Sequence, residues 1–119
     1  MKTILITGAT SGIGLAAAKK LANEKNQLIL CGRRQRKLDE ISEELSKSAN
    51  VLSLCFDVSD KDEVNKLLSN IPNEFSSIEI LINNFISTIF IIEIVDSHIV
   101  LFSLISRKDN DLLRGTSTF

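Results

Sequence analysis

The chain has 119 residues, of which 44% are apolar and 24% are charged, and its formal net charge is −1. This composition is typical of one small soluble globular domain, and the length leaves no room for a second full domain. A charge so close to neutral argues against a general nucleic-acid binder or a binder of anionic membranes.

The chain opens with the pattern of a βαβ unit. The β-branched and leucine-containing run Thr3 to Ile6 predicts a first strand, which ends at Thr7-Gly8. After three glycines, the alanine- and lysine-rich segment Leu15 to Asn23 predicts a helix. The apolar run Gln27 to Cys31, closed by Gly32, predicts a second strand.

The same alternation continues along the chain. Arg36 to Ser46 has leucine and isoleucine at spacings of three and four on a charged background, which predicts an amphipathic helix. Val51 to Phe56 predicts a third strand, and Ser59-Asp60 offers the N-cap of a third helix that ends before Pro72. Ile78 to Ile82 predicts a fourth strand.

Four apolar strands that alternate with three amphipathic helices indicate right-handed βαβ crossovers and a parallel sheet covered on both faces. The predicted fold class is therefore α/β: a truncated doubly wound sheet of the Rossmann type, with strand order 3-2-1-4. From residue 85 onward the pattern is lost. We expect a half-domain over residues 1–84 and a divergent tail over residues 85–119.

The loop after the first predicted strand holds three of the five glycines. Gly8 permits a tight turn, Gly12 removes a side chain where the backbone must approach a pyrophosphate, and Gly14 lets the helix pack close to the sheet. Amide groups at the helix start would then face the diphosphate. The alternative interpretation is a loop whose glycines serve backbone geometry only.

The end of the second predicted strand indicates which dinucleotide fits. An acidic residue there would accept hydrogen bonds from the adenosine ribose of NAD(H), whereas this chain has Gly32 followed by Arg33 and Arg34. A guanidinium can bind the 2′-phosphate of NADP(H) with charge-assisted hydrogen bonds. NADP(H) is therefore favoured over NAD(H). The alternative is a solvated helix start, which remains the interpretation for Arg36 and Lys37.

These residues resemble the short-chain dehydrogenase/reductase family. Its TGxxxGxG loop corresponds to Thr7 to Gly14, its adenine-pocket Asp-Val pair to Asp57 and Val58, and the Asn-Asn of its NNAG motif to Asn83 and Asn84. The resemblance implies that Asp57 accepts from the adenine amino group, that Val58 contacts the ring, and that the asparagines lie beside the cofactor. It covers residues 2 to 84 and implies an oxidoreductase that uses NADP(H) on a small alcohol or carbonyl substrate.

The predicted contacts to NADP(H) lie in the loops that follow the four strands, with two of them assigned mainly by loop position (Ser11 and Ile13). They are Gly8, Ser11, Gly12, Ile13, Gly14, Arg33, Arg34, Asp57, Val58 and Asn84. We expect no metal site and no nucleic-acid partner.

The sequence departs from the family after the fourth strand. The NNAG motif should continue as Ala-Gly, but this chain has Phe85-Ile86, and it contains no tyrosine. The family's catalytic Ser and Tyr-x-x-x-Lys residues are therefore not assigned, and we expect the isolated chain to be inactive. One hypothesis is a frameshifted or prematurely ended reductase. A second is a non-catalytic nucleotide-binding or interaction module whose tail adds a strand or a partner contact, and a third is a partner chain that supplies the missing residues.

Two further expectations concern the apolar segments. Cys31 and Cys55 each lie in an apolar run without metal-ligand spacing, which indicates small buried hydrophobic residues. The segment Ile86 to Ile105 is as long as a bilayer span but carries two acids and a histidine near its middle, so a membrane segment is not expected. The predicted location is the cytoplasm.

Overall fold

The computed structural model describes residues 1–57, 60–83, 100–104 and 113–118. Its elements in chain order are β1 (Lys2–Ile6), α1 (Gly12–Leu21), β2 (Asn26–Gly32), α2 (Gln35–Leu45), β3 (Asn50–Cys55), α3 (Lys61–Ser69), a short 3-10 helix (Asn73–Phe75), β4 (Ile78–Asn83), β5 (Val100–Leu104) and β6 (Leu113–Thr118). The four predicted strands and three predicted helices are all present in the predicted order. The largest difference at a helix start is in α1, which begins at Gly12 within the glycine loop.

All strands described belong to one sheet. Within the described residues it has six strands in the order β3-β2-β1-β4-β5-β6. β1 pairs in parallel with both β2 and β4, and β2 pairs in parallel with β3. The predicted α/β class and the strand order 3-2-1-4 are therefore confirmed.

Two strands from the tail extend the sheet beyond β4. β5 pairs in parallel with β4, with Ile82 opposite Phe102, and β6 pairs antiparallel with β5. The sequence pattern did not locate either strand, although one hypothesis had the tail add a strand. Val100–Leu104 closes a long apolar segment in which no periodicity marks an element boundary, and Leu113–Thr118 is a mostly polar segment that contains a glycine.

Helices cover both faces of the sheet, as expected for strands that are apolar throughout. Successive residues of a strand point to opposite faces, so Ile4 and Ile6 pack in the cluster that contains α1 and α2 residues, whereas Leu5 packs in the cluster that contains Val64 of α3. The second cluster also contains Phe75 of the 3-10 helix. Burial on both faces fixes the register of β1 and with it the position of the loop that follows.

A polar chain joins the amino-terminal ends of three strands. The Gln27 amide donates to Thr3 Oγ1 at 3.0 Å and to the Glu74 carbonyl at 2.8 Å, and Asn50 Nδ2 donates to Gln27 Oε1 at 2.9 Å. These bonds link β1, β2 and β3 at the edge of the sheet opposite the glycine loop. These side-chain bonds thus hold the three strands together at the end opposite the candidate site.

The helices in the described ranges all fall short of the length and hydropathy that a bilayer-crossing helix needs. Among the same residues, no group of histidine, cysteine or acidic side chains converges as a metal site would require. Cys31 is buried and Cys55 is half-buried, and neither forms a disulfide. The interpretation of Cys31 as a core residue is confirmed, while Cys55 is only partly covered.

Candidate functional site

The loop between β1 and α1 has two glycines in the left-handed region of backbone space. Gly8 has φ of 62° and Gly12 has φ of 57°. An L-residue in this conformation costs about 1–2 kcal/mol, which explains the glycines locally. At Gly12 no described atom lies within 4 Å of the place that a Cβ would occupy. Packing within the protein does not demand a glycine there, and the space beside the loop is open.

The start of α1 faces this open space. Its first turn carries no charge, and the amides of Gly12, Ile13 and Gly14 precede the first hydrogen bond of the helix, which the Leu15 amide donates to the Ser11 carbonyl at 3.3 Å. Ser11 is the N-cap, and within the described residues its hydroxyl makes no capping hydrogen bond. Gly14 is buried, as expected where a helix approaches a sheet closely. The positive end of the helix dipole, which favours anions, thus lies beside the open space at Gly12.

The start of α3 is built differently. Its N-cap is Asp60, whose carboxylate accepts a hydrogen bond of 3.2 Å from the Glu63 amide. A carboxylate of the protein itself therefore neutralises the positive end of α3. Within the described residues α1 therefore lacks the capping carboxylate that α3 has.

The turn after β2 brings two cations to the same edge of the sheet. Arg33 and Arg34 are both exposed, and Arg34 Nη2 donates a long hydrogen bond of 3.4 Å to Thr10 Oγ1 in the glycine loop. The Ala9 amide also donates to the Cys31 carbonyl at 3.0 Å, which ties the loop to β2. The structure therefore brings the glycine loop and the arginine turn together, although they are far apart in sequence.

The ends of β3 and β4 complete the edge. Asp57 is exposed and directly follows the buried Phe56 after β3. Asn83, the last residue of β4, is buried, and its Oδ1 accepts a hydrogen bond of 3.2 Å from the Thr7 hydroxyl. The remaining two predicted contacts, Val58 and Asn84, lie outside the described residues.

Thr10 is a residue that the sequence analysis did not single out. It is 6% exposed, it holds Arg34, and its methyl fills the place that a side chain at Gly32 would need. The available signal was a β-branched residue within a glycine loop, paired with a glycine at the end of the next strand. The pairing can be recognised only from the structure, which shows that the glycine loop contacts the end of β2.

The buried thiol near this edge is not a nucleophile. Cys31 is fully buried at the end of β2, and burial raises the pKa of its thiol far above the ordinary value because the thiolate would lose its hydration. The reactive form of a cysteine is the thiolate. The polar groups that remain at the described edge are backbone amides, the guanidinium groups of Arg33 and Arg34, and the Asp57 carboxylate.

The edge lies at the point where the strand order reverses. From β1 the chain passes to β2 on one side, whereas β4, the last strand of the predicted half-domain, lies on the other side. In open α/β sheets, ligands bind in the crevice outside the carboxyl ends of the strands at such a point. A family model described as short chain dehydrogenase matches residues 2–88.

The chain belongs to the short chain dehydrogenase family. A sulfoacetaldehyde reductase from Chromohalobacter salexigens is 43% identical over 81 residues, which are 68% of this chain and 32% of that protein. An NADP-dependent 3-hydroxy acid dehydrogenase from Schizosaccharomyces pombe is 45% identical over 86 residues, which are 70% of this chain and 33% of that protein.

A solved structure extends the likeness to three dimensions. An alcohol dehydrogenase from Thermococcus sibiricus, complexed with 5-hydroxy-NADP, superposes with a TM-score of 0.66 at 31% identity, and the match covers 71% of this chain and 37% of that chain. The chain spans about a third of the length of the relatives that it matches. The family assignment thus rests on residues 2–88 of this chain.

Proposed function

We propose that this short chain dehydrogenase chain binds NADP(H) at the carboxyl edge of its sheet and prefers it to NAD(H). The observation that carries the proposal is the contact between the glycine loop and the arginine turn. A helix start without a capping side chain, open space at Gly12 and two exposed guanidinium groups lie along one edge. These features fit a ligand with a diphosphate at one end and a further phosphate near the arginines.

The diphosphate would lie against the start of α1. Gly8 and Gly12 supply the backbone turns, and the amides of Gly12, Ile13 and Gly14 would donate to its oxygens. The Ser11 hydroxyl, which makes no capping bond among the described residues, would be a further donor. Each of these roles uses backbone or hydroxyl hydrogens, so binding at this end depends on loop shape more than on side-chain charge.

The 2′-phosphate would lie beside the arginine turn. Arg33 and Arg34 are the nearest cations after β2, and Gly32 leaves no carboxylate to repel a phosphate. Charge-assisted hydrogen bonds are worth roughly 1.5–3 kcal/mol each, which corresponds to a ten- to hundredfold preference for NADP(H).

The adenine and nicotinamide ends would lie next to β3 and β4. Asp57 would accept from the adenine amino group and Val58 would contact the ring, while Asn84 would lie nearer the nicotinamide. The exposure of Asp57 at the same edge as the arginine turn supports the first of these assignments.

In its family the bound cofactor supplies or accepts a hydride for a small alcohol or carbonyl compound. The proton partner of that reaction in the resembling enzymes is a tyrosine, and this chain contains none. We therefore propose that the chain retains cofactor binding and does not turn over a substrate by itself. The substrate class is a property proposed for full-length relatives.

A second candidate function is a nucleotide-binding or interaction module. The pairing of β5 with β4 favours it, because the tail then covers an edge that would otherwise be open to another chain. The two candidates differ in the role of the tail, which is a contact or sheet-covering segment in the second.

The test is a pair of titrations on the purified chain. Isothermal titration calorimetry with NADPH and NADH is expected to show binding of both, with NADPH about ten- to hundredfold tighter. Equal affinities, or no binding of either dinucleotide, would overturn the proposal. Oxidation of NADPH with a panel of aldehydes and ketones is expected to be absent, and turnover by the isolated chain would refute its inactivity.

A further inference from the structure

Thr10 and Gly32 compete for one space at the point where the glycine loop meets β2. The hydrogen bond from the Ala9 amide to the Cys31 carbonyl, 3.0 Å long, holds these two segments together. Thr10 is 6% exposed and Gly32 is buried, so neither residue can move far into solvent. The identity of one residue therefore limits the identity of the other.

The methyl group of Thr10 is what excludes a side chain at Gly32. A Cβ built at Gly32 would lie 2.7 Å from Thr10 Cγ2, well inside the about 3.5–4.0 Å at which carbon atoms pack. The next atoms, Leu38 Cδ1 at 3.6 Å and Thr10 Oγ1 at 3.7 Å, are at ordinary contact distance. Gly32 lies in an extended strand, outside the left-handed region. Space, not backbone conformation, requires a glycine there.

The hydroxyl of Thr10 has a separate role. Its Oγ1 accepts the 3.4 Å hydrogen bond from Arg34 Nη2 and so keeps one guanidinium beside the glycine loop. Threonine is stiff at χ1 because its Cβ is branched, and rotation of the methyl away from position 32 would also move the hydroxyl away from Arg34. One rotamer thus serves both roles.

We propose that Thr10 is a positioning residue that sets the dinucleotide preference of this site. Its methyl keeps position 32 free of the carboxylate that would bind the ribose of NAD(H), and its hydroxyl holds Arg34 where the 2′-phosphate of NADP(H) would lie. The inference rests on the proposed function. It adds that the preference is set from within the glycine loop, and not by the arginine turn alone.

Two variants of Thr10 separate the roles of its methyl and its hydroxyl. Thr10→Ser keeps the hydroxyl and removes the methyl, whereas Thr10→Val keeps a methyl at each γ position and removes the hydroxyl. Each is combined with Gly32→Ala in the full chain, and the equilibrium constant of unfolding is measured in urea without cofactor. Gly32→Ala is expected to raise that constant about tenfold or more in the parent and in the Thr10→Val background, because overpacking is costly.

In the Thr10→Ser background, Gly32→Ala is expected to change the unfolding constant less than about threefold, since the crowding atom is gone. An alanine that fits also restricts the unfolded chain, which favours folding. An equal effect of Gly32→Ala in all three backgrounds would overturn the steric claim. This measurement needs no dinucleotide, so its result stands apart from the fate of the proposed function.

The second measurement is the ratio of dissociation constants for NADH and NADPH. Thr10→Val is expected to lower this ratio about two- to tenfold, because Arg34 loses its anchor, while Thr10→Ser leaves it within about twofold. Thr10→Ser combined with Gly32→Asp is expected to bind NADH more tightly than NADPH, whereas Gly32→Asp alone weakens both.

An unchanged ratio in Thr10→Val would overturn the role of the hydroxyl. If the double variant with Thr10→Ser and Gly32→Asp still binds NADPH more tightly than NADH, the role of the methyl in cofactor choice is overturned. If the parent chain binds neither dinucleotide, the proposed function and the cofactor claim fall together, while the urea measurement still decides whether the methyl crowds position 32.

Discussion

The Thr7 hydroxyl donates a hydrogen bond of 3.2 Å to Asn83 Oδ1, and the two buried residues lie 76 positions apart in the chain. Thr7 directly follows β1, and Asn83 ends β4. The Thr7 amide also donates to the Ile82 carbonyl at 3.1 Å. Together these bonds fix the ends of the two strands between which the order of the sheet reverses, and hence the base of the candidate crevice.

Thr7→Val is expected to lower the free energy of unfolding by about 0.5–1.5 kcal/mol, because the buried Asn83 side chain loses one hydrogen bond while the volume of the side chain at position 7 is nearly kept. Thr7→Ser, which keeps the hydroxyl, is the matched control for that bond. Urea denaturation followed by circular dichroism measures both variants. If the valine variant is no less stable than the serine variant, the bond contributes nothing to stability.

Two substitutions at Gly12 distinguish the cost of backbone strain, measured as stability, from the loss of ligand approach, measured as NADPH binding. Because its φ is 57° and no described atom lies within 4 Å of the position that a Cβ would take, Gly12→Ala should cost about 1–2 kcal/mol of stability through strain alone. Gly12→Asn should cost less, since asparagine tolerates this conformation. Both variants are expected to lose NADPH binding in calorimetry, because the side chain fills the space intended for the diphosphate. Tight binding by the asparagine variant would show that no ligand approaches Gly12.

The sequence predicted the elements of the half-domain because their signals are local. Short apolar runs mark the four strands, composition or spacings of three and four mark the helices, and Gly8, Gly32 and Pro72 mark three of the ends. β5 and β6 escaped prediction for a physical reason. Whether Val100–Leu104 forms a strand depends on an open edge at β4, which lies far away in the chain and leaves no trace in the local pattern.

The candidate site was predictable to the same extent. Gly8 was identified from the need for a tight turn, Gly12 from the expected approach of a pyrophosphate, and Arg33 from its place after a strand; both glycines have a positive φ in the structure. Thr10 was not identified, because its contact with Gly32 depends on the register between β1 and β2. Contacts between segments distant in sequence are therefore what the structure adds.

Burial of the Cys31 thiol makes stability depend on pH in the alkaline range. Its pKa is raised in the folded chain from an ordinary value of 9.0, so the unfolded chain loses this proton at a lower pH than the folded chain does. The contribution of the protonated Cys31 thiol to the free energy of unfolding is therefore fully present below about pH 9. It declines as the pH rises above that value, with a slope of up to about 1.4 kcal/mol per pH unit. Urea denaturation from about pH 8 to about pH 10 should show a shallower decline for Cys31→Ala than for the parent. Parallel declines would mean that the thiol is not the source.

Arg33 is expected to distinguish the two dinucleotides by charge. Arg33→Ala should weaken NADPH binding by roughly 1.5–3 kcal/mol and leave NADH binding nearly unchanged, because only NADPH carries the 2′-phosphate. Arg36→Ala is the matched control: the Arg36 side chain is 95% exposed and lies 3.7 Å from Glu40, so its loss should affect neither dinucleotide. Calorimetric titration of both variants gives the four affinities. Equal losses for NADPH and NADH in Arg33→Ala would show that this arginine does not bind the 2′-phosphate.

Ser11 and Asp60 occupy the same position on two helices, yet their replacement should have opposite consequences. Asp60 caps α3 through the Glu63 amide at 3.2 Å, so Asp60→Ala should cost about 0.5–2 kcal/mol of stability and leave NADPH binding unchanged. Within the described residues Ser11 makes no capping hydrogen bond, so Ser11→Ala should change stability by less than about 0.5 kcal/mol. It should instead weaken NADPH binding by about 0.5–1.5 kcal/mol, because the hydroxyl would donate to the diphosphate.

Parallel urea denaturation and NADPH titrations compare the two variants. A stability loss without a binding loss in Ser11→Ala would identify this serine as an ordinary helix cap and remove it from the cofactor site.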